Sequence, residues 1–196
     1  MDIIVIPKLL SNSFADEIKE CLTGPQFPWH YSKRLTYDEV ITQKFIANDP
    51  KIKDVDGFVN PLFVNGNKNN NYVDLFRPMM YFLEDKTGII ANEIIRIRAV
   101  WINKDATFGD YYNVPHVDIV DNQNPHKTLI YYVNDSDGDT ILFKEFFTGE
   151  LDSTKKTIEQ TIQPCKNKCV VFDGLRYHTG CVPKHNHRIL ININFR

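Results

Sequence analysis

The chain has 196 residues, 23 Lys and Arg against 25 Asp and Glu, and a formal net charge of −2. That length suits one domain with a substantial core, and the balanced charge argues against an electrostatic grip on nucleic acid or an anionic membrane. No apolar run approaches a membrane span, and the start MDIIVIPKLL has no small-residue cleavage site, so a soluble, cytoplasmic protein is expected.

Cys21, Cys165, Cys169 and Cys181 are too few and too uneven for a disulfide framework and read as reduced thiols. Cys165 and Cys169 would make half a zinc site, but no second cysteine pair completes it.

In chain order, Asp2 to Ile6 reads as a short apolar strand. Ser11, Asn12 and Ser13 then offer N-caps for a helix through Phe14, Ile18 and Leu22 that stops at Gly24. The segment Pro25 to Tyr31 (PQFPWHY) favours extended chain, packed on the core or at a pocket mouth. Between Asp49 and Tyr72 lie Pro, Gly and the asparagine tract Asn65 to Asn71, a composition that predicts turns, weak order and a loop able to close over a substrate. Val73 to Leu83 is apolar at helical spacing, with Pro78 as a kink or first-turn proline and an end before Gly88.

From Glu93 the pattern turns to β: IIRIRAVWI, HVDIV, TLIYYV, TILFKEFF, TIEQTI, CVVFD and RILININF, separated by Gly, Asp, Asn and Pro clusters. Many short strands after two helices predict a mainly β fold, an antiparallel sandwich or double-stranded β-helix (jelly roll) with N-terminal α-helices on one side. One domain is expected, with 1–92 as a helical and extended support region and 93–196 as the jelly-roll core.

The first chemical signal is Pro115-His116-Val117-Asp118. Residues two apart on a strand project to one face, so His116 and Asp118 can hold one ion between them. A His-x-Asp pair is weak by itself and needs a third ligand. His30 and His126 read as packing or surface residues, and His185 and His187 as a solvated turn pair that is the main rival metal site. His178 follows the strand CVVFD near a strand end, where a ligand is well placed and a surface histidine is the ordinary alternative. The last strand puts Ile189, Ile191, Ile193 and Phe195 on one face and Arg188, Leu190, Asn192 and Asn194 on the other, so the second face must line something polar. A buried Arg188 needs an anion, for which a small dicarboxylate or a structural Asp or Glu would serve.

Taken in order, PHVD, IYYVN, GDTILF, VVFDGLRYHTG and HRILININF resemble the core of the 2-oxoglutarate and Fe(II)-dependent oxygenases, nearest the prolyl-hydroxylase-like members. The likeness spans Arg96 to Phe195, and the N-terminal half is similar in pattern to small bacteriophage-encoded oxygenases. The resemblance implies His116, Asp118 and His178 as metal ligands, Arg188 as the 2-oxoglutarate arginine and Tyr132 as a pocket tyrosine. Thr128 shares the Tyr132 face, and Asn192 is a further pocket candidate with the loops near Tyr111 and Tyr112. Where the family often places a tyrosine before His-x-Asp, this chain has Trp101, Ile102 and Asn103.

The implied cofactors are Fe(II), 2-oxoglutarate as co-substrate and O2, with ascorbate as an accessory reductant. The implied reaction is hydroxylation of a C–H bond of a peptidyl, prolyl-like residue or a small molecule, with release of succinate and carbon dioxide. If the chain is viral, its place would be the host cytoplasm. Two other readings stay open: a cupin-like metalloenzyme that does not use 2-oxoglutarate, and a jelly-roll binding module without turnover.

Overall fold

The computed structural model describes residues 2–121 and 123–196. The chain runs β1 (Ile4–Ile6), α1 (Asn12–Thr23), β2 (His30–Ser32), α2 (Glu39–Asn48), β3 (Gly57–Val64), β4 (Asn67–Lys68), α3 (Val73–Phe76) and α4 (Met79–Thr87). It continues through β5 (Ile94–Ile102), β6 (Lys127–Tyr132), β7 (Thr140–Phe146), β8 (Ile158–Ile162), β9 (Cys169–Asp173), β10 (Arg176–Gly180) and β11 (Arg188–Phe195). Every strand pairing is antiparallel. The main sheet has the order β1-β9-β6-β11-β5-β3-β2 with β4 beside β3, and β10-β7-β8 form a smaller sheet. This is the mainly β jelly roll that the strand rhythm predicted.

Helix ends follow local chemistry. Ser11 Oγ accepts from the Phe14 amide at 3.3 Å, Asp38 Oδ1 accepts from the Ile41 amide at 2.9 Å, and Gly88 ends α4 at φ 71°, where a side chain would be strained. Pro78 separates α3 from α4 because it has no amide to donate, so the predicted single helix is two.

Three departures from the sequence pattern matter. First, α2 was not anticipated; it packs Phe45 against Tyr112, Phe143 and Tyr177 at the smaller sheet, away from the other helices. Second, the asparagine tract is an ordered hairpin. Asn65 and Gly66 take φ of 47° and 83°, as a two-residue turn between antiparallel strands requires. Asn69 and Asn70 then donate to Pro61 O at 2.6 Å and to Asn60 Oδ1 at 3.0 Å. Third, HVDIV is no strand: His116 alone makes an isolated bridge to His178.

The core lies on both sides of the main sheet. α1, α3 and α4 bury Ile18, Leu22, Phe76 and Leu83 against Ile191, Ile193 and Phe195, each such side chain contributing about 1.5–3 kcal/mol. Phe27 and Trp29 of PQFPWHY join this layer, so that segment packs on the core. The other face carries Val100, Ile130, Tyr132 and Leu190 toward Leu142 of the smaller sheet. Between those faces the polar residues of β5, β6 and β11 meet His116 and His178. Among the described residues no helix is long and apolar enough to cross a membrane.

Candidate metal and co-substrate site

The polar rows of the main sheet are set by register. Arg96, Asn194 and Thr128 stand side by side on β5, β11 and β6; Arg98, Asn192 and Ile130 form the next row, and Arg188 pairs with Ile102 at the far end. The loop after β5 brings His116 and Asp118 over these rows, and the smaller sheet supplies His178 from the middle of β10. The backbone amides and carbonyls of His116 and His178 exchange hydrogen bonds of 2.9 Å, which fixes the two histidines together.

Ligand atoms of His116, Asp118 and His178 lie within 4.8 Å of one another, the one such group among the described residues. The histidine ring orientations suit metal binding. His116 Nδ1 is 3.0 Å from Val114 O, and His178 Nδ1 is 3.2 Å from Arg176 O. A carbonyl only accepts, so Nδ1 carries the proton and Nε2 offers its lone pair. Burial, then repulsion from His178, pushes the His116 imidazole down to about 3, and burial also lowers that of His178, so both rings are neutral near pH 7.

Asp118 is the anionic member. Burial alone would push its carboxyl up, but Arg96, then His178 and Arg98, hold it well below the usual carboxylate range. Its two oxygens differ. Oδ2 accepts from Asn192 Nδ2 at 2.8 Å and Asn194 Nδ2 at 3.1 Å, with Thr128 Oγ1 at 3.5 Å. Oδ1 has Arg96 Nη2 at 2.7 Å as a charge contact but accepts no well-aligned hydrogen bond. His178 Nε2 stands 3.7 Å from Asp118 Oδ2, and an ionised carboxylate beside two neutral imidazoles is a donor set that fits a divalent ion such as Fe(II).

A cavity of about 50 Å3 runs from His116 and His178 to Arg188, bounded by Thr36, Arg98, Ile102, Gly180, Leu190 and Asn192. Arg188 Nη2 donates to Thr140 Oγ1 at 2.8 Å, its Nη1 is 3.5 Å from Asp139 O, and its Nε has no hydrogen-bond partner. Burial lowers this guanidinium's proton affinity, as expected for a cation awaiting an anion. Tyr132 Oη also donates to Thr140 Oγ1, at 2.7 Å. Thr140 therefore accepts twice and keeps its own proton to give.

The other residues singled out by sequence fall as follows. Thr128 and Asn192 direct their polar atoms to Asp118, and Asn192 also lines the cavity. Tyr112 Oη donates to Asp49 at 2.6 Å, and with Tyr111 it borders a separate cavity near Lys51 and Asp137. Trp101 stacks on His187 at 4.7 Å on the helix-bearing side, so neither belongs to the site. His30, His126 and His185 stand outside the ligand cluster, and no residue of the asparagine hairpin borders the cavity. Cys165 and Cys169 form no metal group among the described residues.

Sequence reading missed Arg96, Arg98 and the loop residues Leu35, Thr36 and Tyr37. The arginines left a signal: two cations alternate on one face of the otherwise apolar IIRIRAVWI. The loop left none, because its place depends on where α2 packs.

Residues 104–196 match the 2OG-Fe(II) oxygenase superfamily, whose members use Fe(II) and 2-oxoglutarate. No curated protein sequence matches the chain significantly. The fold is similar to an oxidoreductase of the 2OG-Fe(II) oxygenase family from Burkholderia pseudomallei, at 12% identity and TM-score 0.65 over 98% of this chain and 84% of that one. It is also similar to a Trichoplax adhaerens prolyl hydroxylase in complex with a hypoxia inducible factor peptide fragment, at 11% identity and TM-score 0.59 over 98% and 82%. A third similar structure is the epimerase SnoN in complex with Fe3+, α-ketoglutarate and nogalamycin RO, at 9% identity and TM-score 0.61 over 98% and 78%. At such identities the likeness to the solved structures is one of fold, and the family match covers the part of the chain that carries β6 to β11 with His116, Asp118 and His178: residues 104–196 match the 2OG-Fe(II) oxygenase superfamily.

Proposed function

We propose that His116, Asp118 and His178 bind the Fe(II), that Arg188 and Thr140 hold the far carboxylate of 2-oxoglutarate, and that the enzyme hydroxylates a C–H bond of a small molecule or peptidyl residue. The observation that carries this is the cavity joining the two histidines of a His-Asp-His donor set to an under-paired buried arginine. Bound Fe(II) with 2-oxoglutarate and O2 supplies the oxidation, coupling loss of carbon dioxide and formation of succinate to oxidation of the substrate C–H bond.

The chain's own residues do the rest. Val114 O and Arg176 O fix the imidazole tautomers, so both Nε2 atoms face the ion. Asn192 and Asn194 hold Asp118 Oδ2, and Arg96 holds Oδ1, so the carboxylate is oriented toward His178 and would offer the ion a fixed oxygen. Arg188 gives a charged fork to the co-substrate carboxylate, and the Thr140 hydroxyl adds a donor beside it. Ile102, Ile130 and Leu190 keep the middle of the cavity apolar, which limits water access.

The test is anaerobic titration of the apo-protein with Fe(II) and then 2-oxoglutarate, following the visible metal-to-ligand charge-transfer band. The band forms in wild type and is lost in Arg188→Ala while Fe(II) still binds. A folded, Fe(II)-loaded wild type that gives no band refutes the assignment and favours a cupin-like metalloenzyme. Binding of both without succinate release, whatever substrate is supplied, favours an inactive module.

A further inference from the structure

The metal-binding cavity has a second lobe of about 60 Å3 on the Asp118 side, bounded by Arg98, Asp118 and the loop residues Leu35, Thr36 and Tyr37. Its polar atoms are unusually short of partners. Arg98 Nε has no hydrogen-bond partner, its Nη1 reaches only Leu35 O at 3.5 Å, and its Nη2 is 3.9 Å from Asp118 Oδ1. Asp118 cannot serve Arg98 better, because Arg96 at 2.7 Å and the two asparagines already hold it. Thr36 Oγ1 is likewise buried without a hydrogen bond, and Tyr37 Oη is buried with the Val117 backbone beside it but no well-aligned hydrogen bond. Tyr37 is not free to turn away, since its ring stacks on Phe45 of α2 at 5.8 Å and 14°.

A guanidinium with an unpaired Nε and long contacts at its other nitrogens, beside two under-paired buried hydroxyls, is costly, and one ligand with several acceptor lone pairs would serve all three. A carboxylate is that ligand, because its two oxygens match the guanidinium fork and keep lone pairs for hydroxyl donors. Leu35, Thr36 and Arg98 border the Arg188 cavity as well, but Tyr37, Arg96 and Asp118 border only this lobe, which lies away from Arg188. Arg98 pairs with Asn192, at the level of Asp118, four residues along β11 from Arg188, or about 13 Å of strand. Arg96, Arg98 and Arg188 outnumber Asp118, so the charges of Fe(II) and 2-oxoglutarate cancel and leave the site positive.

We propose that the Arg98 lobe binds a carboxylate of the primary substrate, making the substrate class a small carboxylic acid, with a free amino acid as the type, and not a residue inside a peptide chain. This rests on the oxygenase reading above. Arg98 would take the carboxylate, Thr36 and Tyr37 would add hydroxyl donors, and the C–H bonds beside the carboxylate would face His116, which borders both lobes.

The experiment is anaerobic titration of the Fe(II)- and 2-oxoglutarate-loaded protein with the standard L-amino acids, with straight-chain monocarboxylic acids from acetate to hexanoate, and with the carboxamides of any that bind. Perturbation of the charge-transfer band reads binding, and succinate release is measured in parallel under air. The expected result is that at least one free acid perturbs the band and stimulates succinate release while its carboxamide binds at least tenfold more weakly. Arg98→Met then loses at least tenfold in affinity for that acid while 2-oxoglutarate affinity stays within about twofold; Arg98→Lys recovers part of the loss, and Tyr37→Phe loses about threefold. Carboxamides binding as well as acids, no acid binding at all, or an Arg98→Met defect in 2-oxoglutarate binding would each overturn the proposal. Failure of the band to form without any acid present strikes the oxygenase reading instead, so the two failures are distinguishable. Dipeptides ending in the best acid, tested alongside, separate a free acid from a peptide C-terminus: equal binding assigns the carboxylate to a chain end and overturns the free-acid form.

Discussion

Arg96 and Asp118 form a partly buried pair in which the guanidinium stands 2.7 Å from Oδ1, the same oxygen that is left without a well-aligned hydrogen bond. Arg96 also donates to Asn194 Oδ1 at 2.9 Å, to Asn192 Oδ1 at 3.3 Å and to the Asp118 carbonyl at 3.1 Å. It is thus both a clamp on Asp118 and a cation close to the ion's place.

Arg96→Met tests that dual role. Removing one partner of a buried pair strands the other, and with the Arg96 side chain 19% exposed a discounted cost of about 2–3 kcal/mol is expected in the apo-protein. That corresponds to a fall of about 4–12 °C in Tm. Excess Mn(II) is expected to raise the melting temperature of the variant by more than that of wild type, because the ion replaces the missing positive charge. Equal metal-induced shifts in the two proteins would show that Arg96 does not act through Asp118.

Gly180→Ala addresses the co-substrate end. A Cβ at Gly180 would lie 2.0 Å from Arg188 Nη1, so the arginine must move out of its present position. The expected result is a fall in 2-oxoglutarate affinity of tenfold or more in the charge-transfer titration, with Fe(II) affinity unchanged. Unaltered 2-oxoglutarate binding would place the dicarboxylate elsewhere.

Thr140→Val removes the hydroxyl that accepts from both Tyr132 and Arg188 and leaves the buried tyrosine hydroxyl unpaired. A loss of about 1–3 kcal/mol in stability is expected by denaturant titration. Weaker 2-oxoglutarate binding is expected as well, whereas Tyr132→Phe in the Thr140→Val background should restore part of the stability without restoring that binding.

The histidines give a pH signature. His116, whose imidazole is pushed down to about 3 by burial and then by His178, binds its proton less readily folded than unfolded, and His178 shifts the same way. The His116 contribution to stability is therefore complete above about pH 6.5 and is lost as the pH falls toward 3, at up to about 1.4 kcal/mol per pH unit, and His178 adds a loss in the same direction. Chemical denaturation of the apo-protein between pH 7 and pH 4 measures the slope, which His116→Gln should reduce. Calorimetry of Mn(II) binding at pH 6.5 in buffers of different ionisation enthalpy should show almost no proton release, since both rings are already neutral. Release of a full proton would contradict the buried, neutral assignment.

Much of this protein is legible before folding is considered. The alternation of RILININF separates Ile191 from Asn192 by period alone, and the Ser11 and Gly24 signals bound α1 because caps are local hydrogen-bond chemistry. The ion site is legible for a related reason: the resemblance preserves the order of PHVD, RYHTG and HRILININF, although HVDIV is a loop and His178 sits inside a strand. The sequence by itself determined the strand faces and the jelly-roll class, and its resemblance pointed to the residues proposed for the metal and for 2-oxoglutarate. Tertiary structure alone decided that Arg96 pairs with Asp118, that Thr140 links Tyr132 to Arg188, and that Thr36 and Tyr37 roof Arg98. Those contacts join segments far apart in the chain, and they depend on sheet register and on the packing of α2, neither of which any local pattern encodes.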